Sequence, residues 1–303
     1  MTLFLPLSAL ALGAGLALWR RRHARAHERR CATKLPLGPG GIVRGAEPIA
    51  LRAGSARGVL LLHGFGDTPQ TLRYLAEHLH RAGYTAHVPL LPGHGRTLQE
   101  FARTRAEDWV RAAREELEVL RARADDVALV GLSMGGALAA RLAAESDDLR
   151  ALVLIAPYLG MPATLRRLAR VHPAWGLVTP YVGARGDRSI RDPAEAVRGL
   201  AYGACTPRLV YELSRVVAHA ERSLPRVAVP TLVVQSREDN RVAPAIAERA
   251  FQRLGTADKR LVWVEGAGHI VTVDYGRERV FAEVERWIGA HMTERQQRLT
   301  RNA

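Results

Sequence analysis

The stretch "VALVGLSMGGALAA" at residues 127–140 decides how this chain folds. Its first half is an apolar run without alternation, which is typical of a strand buried on both faces of a sheet. Its second half is rich in alanine and favours a helix. Ser133 stands at the junction, flanked by Gly131, Gly135 and Gly136. Glycines let the backbone turn sharply with close neighbours on both sides, so the stretch predicts a serine held on a tight turn.

A phosphate-binding loop is the alternative interpretation of a glycine-rich turn after a strand. Such a loop ends in Gly-Lys-Ser or Gly-Lys-Thr, because the lysine and the hydroxyl contact phosphates and their metal ion. The turn here continues as "GGAL". We therefore interpret Ser133 as a candidate nucleophile.

Short apolar runs and helical patterns alternate on both sides of this turn. They predict strands at 59–65, 85–91, 127–133, 149–157, 231–236 and 259–266, and helices at 69–83, 106–123, 134–145, 244–255 and 277–292. Strands that alternate with helices imply right-handed crossovers and a mostly parallel sheet. Arginine-rich amphipathic helical patterns replace the alternation at 158–225. We expect this insertion to form a small helical cap over the carboxyl ends of the strands, where open parallel sheets bind ligands.

The N-terminal segment is hydrophobic. Residues 2–19, "TLFLPLSALALGAGLALW", carry no charge, and the basic run "RRRHARAHERR" follows them. As a helix the apolar residues would extend roughly 27 Å, close to the thickness of a bilayer core. A cleaved signal peptide normally has its charge before the apolar stretch, and arginines favour the cytoplasmic side. We expect an uncleaved N-terminal transmembrane helix in the inner membrane, with the rest of the chain in the cytoplasm; export after signal cleavage is the alternative.

These patterns divide the chain into five parts. We expect a hydrophobic anchor with its basic flank at 1–30, a linker at 31–45, an α/β core at 46–157 and 226–292, the cap at 158–225, and a C-terminal tail at 293–303.

The formal net charge of +14 comes almost entirely from arginine. No basic-aromatic ladder or nucleic-acid motif accompanies this charge, so we expect no nucleic-acid partner. The two cysteines, Cys31 and Cys205, indicate neither a disulfide framework nor a metal cluster.

A nucleophilic serine needs a base, and the base needs an acid that orients it. In strand–turn–helix architectures of this kind both partners follow the serine in the chain and lie just past carboxyl ends of strands. Asp239 meets this condition after "TLVVQS", and His269 meets it after "LVWVEG". Glu238, adjacent to Asp239, is the close competitor for the acid. We predict a catalytic triad of Ser133, Asp239 and His269.

An acyl-transfer site also needs two N–H donors for the oxyanion of its tetrahedral intermediate. We expect them from the backbone of Met134, which follows the serine, and of Phe65 in "LLLHGFGDTP". His63 in the same loop is expected to shape it rather than to transfer protons. His94 in "PGHGRT" has a loop-bracing role as its default interpretation.

The cap contains aromatic and aliphatic candidates for a substrate slot. They are Tyr158, Leu159, Trp175, Tyr181 and Tyr202. Packing between the cap and the sheet explains any single one of them equally well. We select Tyr158, Trp175 and Tyr181 as candidate substrate-binding residues.

With these residues placed, the sequence resembles the α/β-hydrolase superfamily. Within it, "LLLHGFGDTP", "VALVGLSMGGALA", "PTLVVQSREDNRVAP" and "VEGAGHIVTVD" are similar to motifs of small bacterial carboxylesterases and monoacylglycerol lipase-like serine hydrolases. The resemblance covers residues 58–290. It implies Ser133, Asp239 and His269 as the triad, a helical cap, and hydrolysis of esters with short to medium acyl chains without a cofactor or metal.

Several activities are compatible with this apparatus, because a fold does not fix a function. We expect a carboxylesterase-type serine hydrolase whose partner is a small ester or lipid, with a monomeric catalytic domain held at the membrane by its N-terminal helix. The alternatives are a monoacylglycerol lipase, a lysophospholipase, a thioesterase or a peptidase. A catalytically silent, membrane-tethered binding protein is the alternative from a different class.

Overall fold

A seven-stranded sheet lies at the centre of the computed structural model, which describes residues 4–183 and 189–292. The strands in this part of the chain are β1 (Ile49–Leu51), β2 (Arg57–Leu62), β3 (Thr85–Val88), β4 (Asp126–Leu132), β5 (Ala151–Ile155), β6 (Val182–Gly183), β7 (Ala204–Cys205), β8 (Thr231–Ser236) and β9 (Lys259–Val264). The order across the large sheet is β1-β3-β2-β4-β5-β8-β9. Only β1 is antiparallel to its neighbour within this sheet. The predicted mostly parallel sheet is confirmed.

Helices cover both faces of the sheet and form most of the cap. They are α1 (Phe4–Lys34), α2 (Arg73–Arg81), α3 (Leu98–Arg103), α4 (Ala106–Arg121), α5 (Met134–Ala143), α6 (Ala163–Arg170), α7 (His172–Gly176), α8 (Pro193–Arg198), α9 (Pro207–Ser223), α10 (Pro244–Arg253) and α11 (Arg277–His291). The predicted core helices all occur, although each ends one or two residues earlier than expected.

Successive residues of the central strands point into two separate hydrophobic cores. Along β2, Leu60 and Leu62 belong to the core beneath α4 and α5, whereas Val59 and Leu61 belong to the core beneath α2 and α11. All four side chains are fully buried. This double burial is the physical reason why the strand has no alternation of apolar and polar residues.

Outside the cap, one short strand and one short α-helix of the described core were not anticipated from the sequence. Strand β1 has three residues and pairs at the edge of the sheet, so it is too short to give a periodic signal. Helix α3 has six residues and begins with a capping box, in which Thr97 and Glu100 each accept from the other's backbone N–H.

The structure corrects the prediction of an N-terminal transmembrane helix. A helix does form, but among the described residues no helix is long and apolar enough to cross a membrane. The uncharged part of α1 that the structure describes is residues 4–19, about 24 Å of helix against about 30 Å of hydrocarbon core. The predicted membrane anchoring through this helix is left without support by this finding. Residues 2–3 lie outside the described residues, and the cytoplasmic or exported location stays a prediction.

The second half of α1 packs against the α/β domain. Cys31 and Leu35 are buried in the main core, and Glu28 accepts a hydrogen bond from the Tyr181 hydroxyl at 3.1 Å. The predicted linker at 31–45 therefore begins inside a helix, and Val43 within it is also buried.

The cap lies between β5 and β8, where the predicted insertion was placed. It holds α6 to α9 and the small antiparallel sheet of β6 and β7. Its α8 is tied to the core by Glu195, whose carboxylate accepts from Arg73 and from the Tyr74 hydroxyl at 2.8 Å each. Residues 184–188 of the predicted cap and the predicted tail at 293–303 lie outside the described residues.

Candidate active site

The turn between β4 and α5 holds Ser133 in a strained conformation. Its φ is 56° and its ψ is −115°, a region that residues with a side chain rarely adopt. A Cβ on Gly135 would lie 1.9 Å from the Leu62 carbonyl oxygen, and one on Gly131 would lie 2.3 Å from the Gly135 oxygen. The glycines that flank the serine are therefore required by close backbone approach, as the sequence indicated.

Three polar side chains form a hydrogen-bonded series at this turn. The Ser133 hydroxyl donates to His269 Nε2 at 2.9 Å, and His269 Nδ1 donates to Asp239 Oδ2 at 2.8 Å. The side chain of His269 is 6% exposed and that of Asp239 is fully buried. The structure thus brings together the three residues that the sequence selected. Such an arrangement can draw a proton from a serine hydroxyl when it attacks a carbonyl group.

Asp239 is held as a carboxylate by its surroundings. Burial alone would raise the pKa of Asp239, but bonding to His269 and to the backbone N–H groups of Val242 and Arg241 brings this pKa below its ordinary value. The competitor Glu238 is exposed and accepts from the Gly266 N–H, away from the imidazole.

Two backbone N–H groups beside the serine are without an acceptor in the part of the chain that the structure describes. Among the described residues, neither the Phe65 nor the Met134 N–H donates to another group of the protein. His63 braces the loop that carries Phe65, because its Nε2 accepts from the Leu91 N–H at 3.1 Å and its Nδ1 donates to the Gly64 carbonyl at 3.0 Å. Burial lowers the pKa of His63 to about 4, so its ring is neutral near pH 7.

His94 lies in the adjacent loop and is also fully buried. Its Nδ1 donates to the Pro92 carbonyl at 3.1 Å, and its ring packs edge-on against that of His63 at 4.9 Å. Burial holds the pKa of His94 well below its ordinary value. These contacts are those of a residue that braces the loop.

A cavity of about 580 Å³ opens over Ser133 and His269. Its apolar walls come from both the core and the cap; they include Phe65, Tyr158, Val182, Ile190, Leu213 and Ile270. A volume of this size fits a ligand with an alkyl chain.

The structure places one of the three selected substrate-binding residues at this cavity and the other two elsewhere. Tyr158 lines the cavity, whereas Trp175 and Tyr181 do not. Trp175 Nε1 donates to the Leu168 carbonyl at 2.9 Å, and the Tyr181 hydroxyl is bonded to Glu28 of α1. Their polar atoms are therefore occupied in holding the cap together and in joining it to α1. This corrects the expectation that all three line a substrate slot.

The charged residues of the cavity were not selected from the sequence. Lys34, Asp67 and Arg241 line it together with Ser133 and His269. Asp67 is 6% exposed, and burial raises its pKa to about 6 although bonds from Thr68 and Thr71 and the charges of His269 and Lys34 oppose the rise. Asp67 lies two residues beyond Phe65, in the expected oxyanion loop. This position in the sequence could have identified Asp67 as a residue of the site.

Asp274 was also not selected from the sequence. It joins the loop that carries His269, called the histidine loop below, to the cap. Its carboxylate is 1% exposed and accepts four backbone N–H groups, which belong to Gly268 at 2.6 Å, Arg191 at 2.8 Å, and Asp192 and Tyr275 at 2.9 Å each. The sequence holds no signal for this role, because the cap segment that donates to Asp274 lies some 80 residues earlier in the chain. Within the described part of the chain, no cluster of three or more His, Cys, Asp or Glu residues could hold a metal ion.

At the carboxyl edge of this mostly parallel sheet, a serine is hydrogen-bonded to a histidine, and the histidine is hydrogen-bonded to a buried carboxylate. This arrangement defines a serine hydrolase with the α/β-hydrolase fold. Comparison with known proteins agrees. The profile of the Hydrolase_4 family, described as "Serine aminopeptidase, S33", matches residues 54–275, and the chain belongs to this family.

Two curated relatives are of the esterase and lipase type. The chain is 32% identical over 250 residues to a thermostable monoacylglycerol lipase of Bacillus sp. (strain H-257), a match that covers 82% of this chain and 97% of the relative. It is 27% identical to a carboxylesterase of Bacillus subtilis (strain 168), with 78% and 94% covered.

Solved structures show the same fold. A structure from work on the metagenome-derived lipolytic enzymes LipS and LipT superposes with a TM-score of 0.76 at 34% identity, covering 82% of this chain and all of the other. A monoacylglycerol lipase of Paleococcus ferrophilus superposes with a TM-score of 0.70 at 23% identity, covering 81% and 98%. The chain is thus a hydrolase of the esterase and lipase type.

Proposed function

We propose that this protein hydrolyses carboxylic esters of short to medium acyl chains through an acyl-enzyme. The observation that carries the proposal is the hydrogen-bonded series of Ser133, His269 and Asp239 beneath the mainly apolar cavity. An alkyl chain gains about 0.8 kcal/mol for each methylene that it buries, so such a cavity favours acyl groups over polar substrates.

The residues take the following roles in the proposed reaction. Ser133 Oγ attacks the ester carbonyl while His269 Nε2 accepts its proton, and Asp239 stabilises the imidazolium that results. The N–H groups of Phe65 and Met134 donate to the oxyanion. His269 returns the proton to the leaving alcohol, and then acts as base for the water that releases the acid.

A graded series of p-nitrophenyl esters, from acetate to laurate, tests this proposal. We expect kcat/KM to rise nearly fourfold for each added methylene until the cavity is full, because 0.8 kcal/mol corresponds to about that factor. We expect Ser133→Ala to be folded but inactive. A wild-type protein that neither turns over any of these esters nor reacts with a fluorophosphonate probe would instead support a silent binding protein.

Monoacylglycerols are the second candidate substrates. The observation that favours them is the 32% identity to a relative named as a monoacylglycerol lipase. Lysophospholipids, acyl thioesters and aminoacyl amides complete the panel, since the same triad serves lysophospholipases, thioesterases and peptidases. The ratio of kcat/KM values across these classes at equal acyl length decides among them.

A further inference from the structure

Lys34 is the last residue of α1, yet it lines the cavity that contains Ser133 and His269. The family profile begins at residue 54, so α1 lies outside the part of the chain that the family shares. The wall of this active site therefore includes a cation from α1, a helix outside the region that the family profile matches.

Packing on both sides of Lys34 fixes its position. Cys31 and Leu35 are buried in the main core. The Cys31 thiol donates to the Tyr202 carbonyl at 3.6 Å, and Lys34 Nζ donates to the Ala201 carbonyl at 3.1 Å. Two neighbouring carbonyl groups of the cap thus hold the end of α1, and the ammonium group stays at the cavity.

The Lys34 ammonium has capacity for a ligand. It carries three N–H donors, and one of them goes to Ala201. Lys34 forms no ion pair with any carboxylate among the described residues.

Cationic side chains outnumber acidic ones among the described residues that line the cavity. Among the described residues that line it, Asp67 is the sole acidic side chain, whereas Lys34 and Arg241 are cations. The Arg241 guanidinium donates to the Ser189 hydroxyl at 2.8 Å, so it is held at the cavity as well.

We propose that Lys34 is a specificity-determining residue, and that this cavity prefers esters bearing a phosphate or carboxylate group to neutral esters of the same acyl length. An ammonium is a compact charge that donates strong hydrogen bonds to anionic oxygens. The apolar walls contact the hydrocarbon part of the same substrate. The inference rests on the proposed ester hydrolysis and names the class of ester.

Two pairs of matched substrates test the inference on the purified full-length protein. The first pair is 1-hexanoylglycerol and 1-hexanoylglycerol 3-phosphate, in which the anion lies on the alcohol. The second pair is p-nitrophenyl hexanoate and mono-p-nitrophenyl adipate, in which it lies on the acyl chain. For each pair the measured quantity is kcat/KM of the anionic ester divided by that of the neutral ester.

We expect Lys34→Met to lower this ratio about tenfold in one of the pairs, mainly through KM, and Lys34→Arg to restore most of it. Arg30→Met is the matched control, because it removes the same charge from an exposed position of the same helix outside the cavity. We expect its ratio to match that of the wild type. Raising the salt from about 0.1 M to 1 M should lower the wild-type ratio, since the Debye length falls from about 10 Å to about 3 Å.

Equal ratios in the wild type and Lys34→Met for both pairs would overturn the inference, as would an equal loss in Arg30→Met. Normal turnover of the neutral esters in the wild type would then leave the proposed function standing. Absence of turnover of every ester in both pairs, neutral and anionic, would overturn the proposed function and this inference together.

Discussion

At the scale of single residues, the chemistry depends on which carboxylate orients His269. Asp239 and Glu238 are adjacent in the sequence, and a shift of one position would exchange them. The structure separates them, because Asp239 faces His269 at 2.8 Å and Glu238 faces the backbone of Gly266.

We expect Asp239→Asn to lower kcat by about 10⁴, because an amide in that place favours the wrong imidazole tautomer. Glu238→Gln is the control of equal chemistry at the adjacent position, and it should retain kcat within about threefold of the wild type. Steady-state kinetics on one p-nitrophenyl ester gives both values. The reverse result would assign the acid to Glu238.

Asp67 gives a pH dependence of stability with a definite sign. Burial raises its pKa from 3.8 to about 6, so the folded protein binds this proton more tightly than the unfolded chain does. The free energy of unfolding therefore falls as the pH rises from about 4 to about 6, and the full penalty remains above that range. A shift of this size corresponds to on the order of 3 kcal/mol.

We expect Asp67→Asn to be more stable than the wild type at pH 8 and to lose this advantage near pH 4. Urea unfolding at both pH values measures the difference. Asp125→Asn, which neutralises an exposed carboxylate, is the control and should change stability little at either pH. A gain that does not depend on pH would show that Asp67 is not the titrating group.

At the scale of elements, the histidine loop and the cap are one unit. Asp274 accepts from Gly268, which precedes His269, and from Arg191 and Asp192 of the cap. A Cβ on Gly268 would lie 2.5 Å from the Ser189 carbonyl oxygen, so the two segments are in direct backbone contact. The cap therefore helps to set the position of the imidazole.

We expect Asp274→Asn to slow the reaction of Ser133 with a fluorophosphonate probe by at least tenfold. An amide presents one oxygen instead of two, so some of the four N–H groups lose their acceptor and the loop shifts. Glu278→Gln, at an exposed position of α11, should react at the wild-type rate. A wild-type labelling rate in Asp274→Asn, at a temperature where it is folded, would contradict the role of Asp274.

At the scale of the whole molecule, α1 has two halves with different surroundings. The described side chains before Trp19 are exposed, whereas Cys31 and Leu35 near its end are buried in the main core. The N-terminal helix is therefore joined to the α/β domain, although the sequence suggested a separate anchor followed by a linker.

We expect deletion of residues 1–35 to lower the free energy of unfolding by about 2–5 kcal/mol, because the buried Leu35 side chain is lost at about 1.5–3 kcal/mol and the smaller buried Cys31 side chain at somewhat less. It should also change the KM for ester substrates, since Lys34 leaves the cavity wall. Deletion of residues 1–19 is the control, because it keeps the buried half of α1. Thermal unfolding of both variants beside the full chain measures the effect, and equal midpoints for all three would show that α1 contributes no stability.

The sequence by itself determined the sheet, the strand–turn–helix at Ser133, and the positions of Asp239 and His269. These features have local causes: strands buried on both faces are apolar runs, glycines are needed where backbones approach closely, and triad members follow carboxyl ends of strands. Strand β1 and helix α3 are too short to leave such a pattern.

Only the tertiary structure decided which distant residues share the cavity. Lys34 and Asp67 line the cavity although they lie about 100 and 66 positions before Ser133 in the chain. Trp175 and Tyr181 were selected as aromatic residues of the predicted cap, but they lie outside the cavity. It also decided that α1 packs on the core, because the contacts of Cys31 and Leu35 are made by segments far away in sequence. Periodicity records which face of an element is apolar, but the partner of that face is fixed only when the whole chain packs.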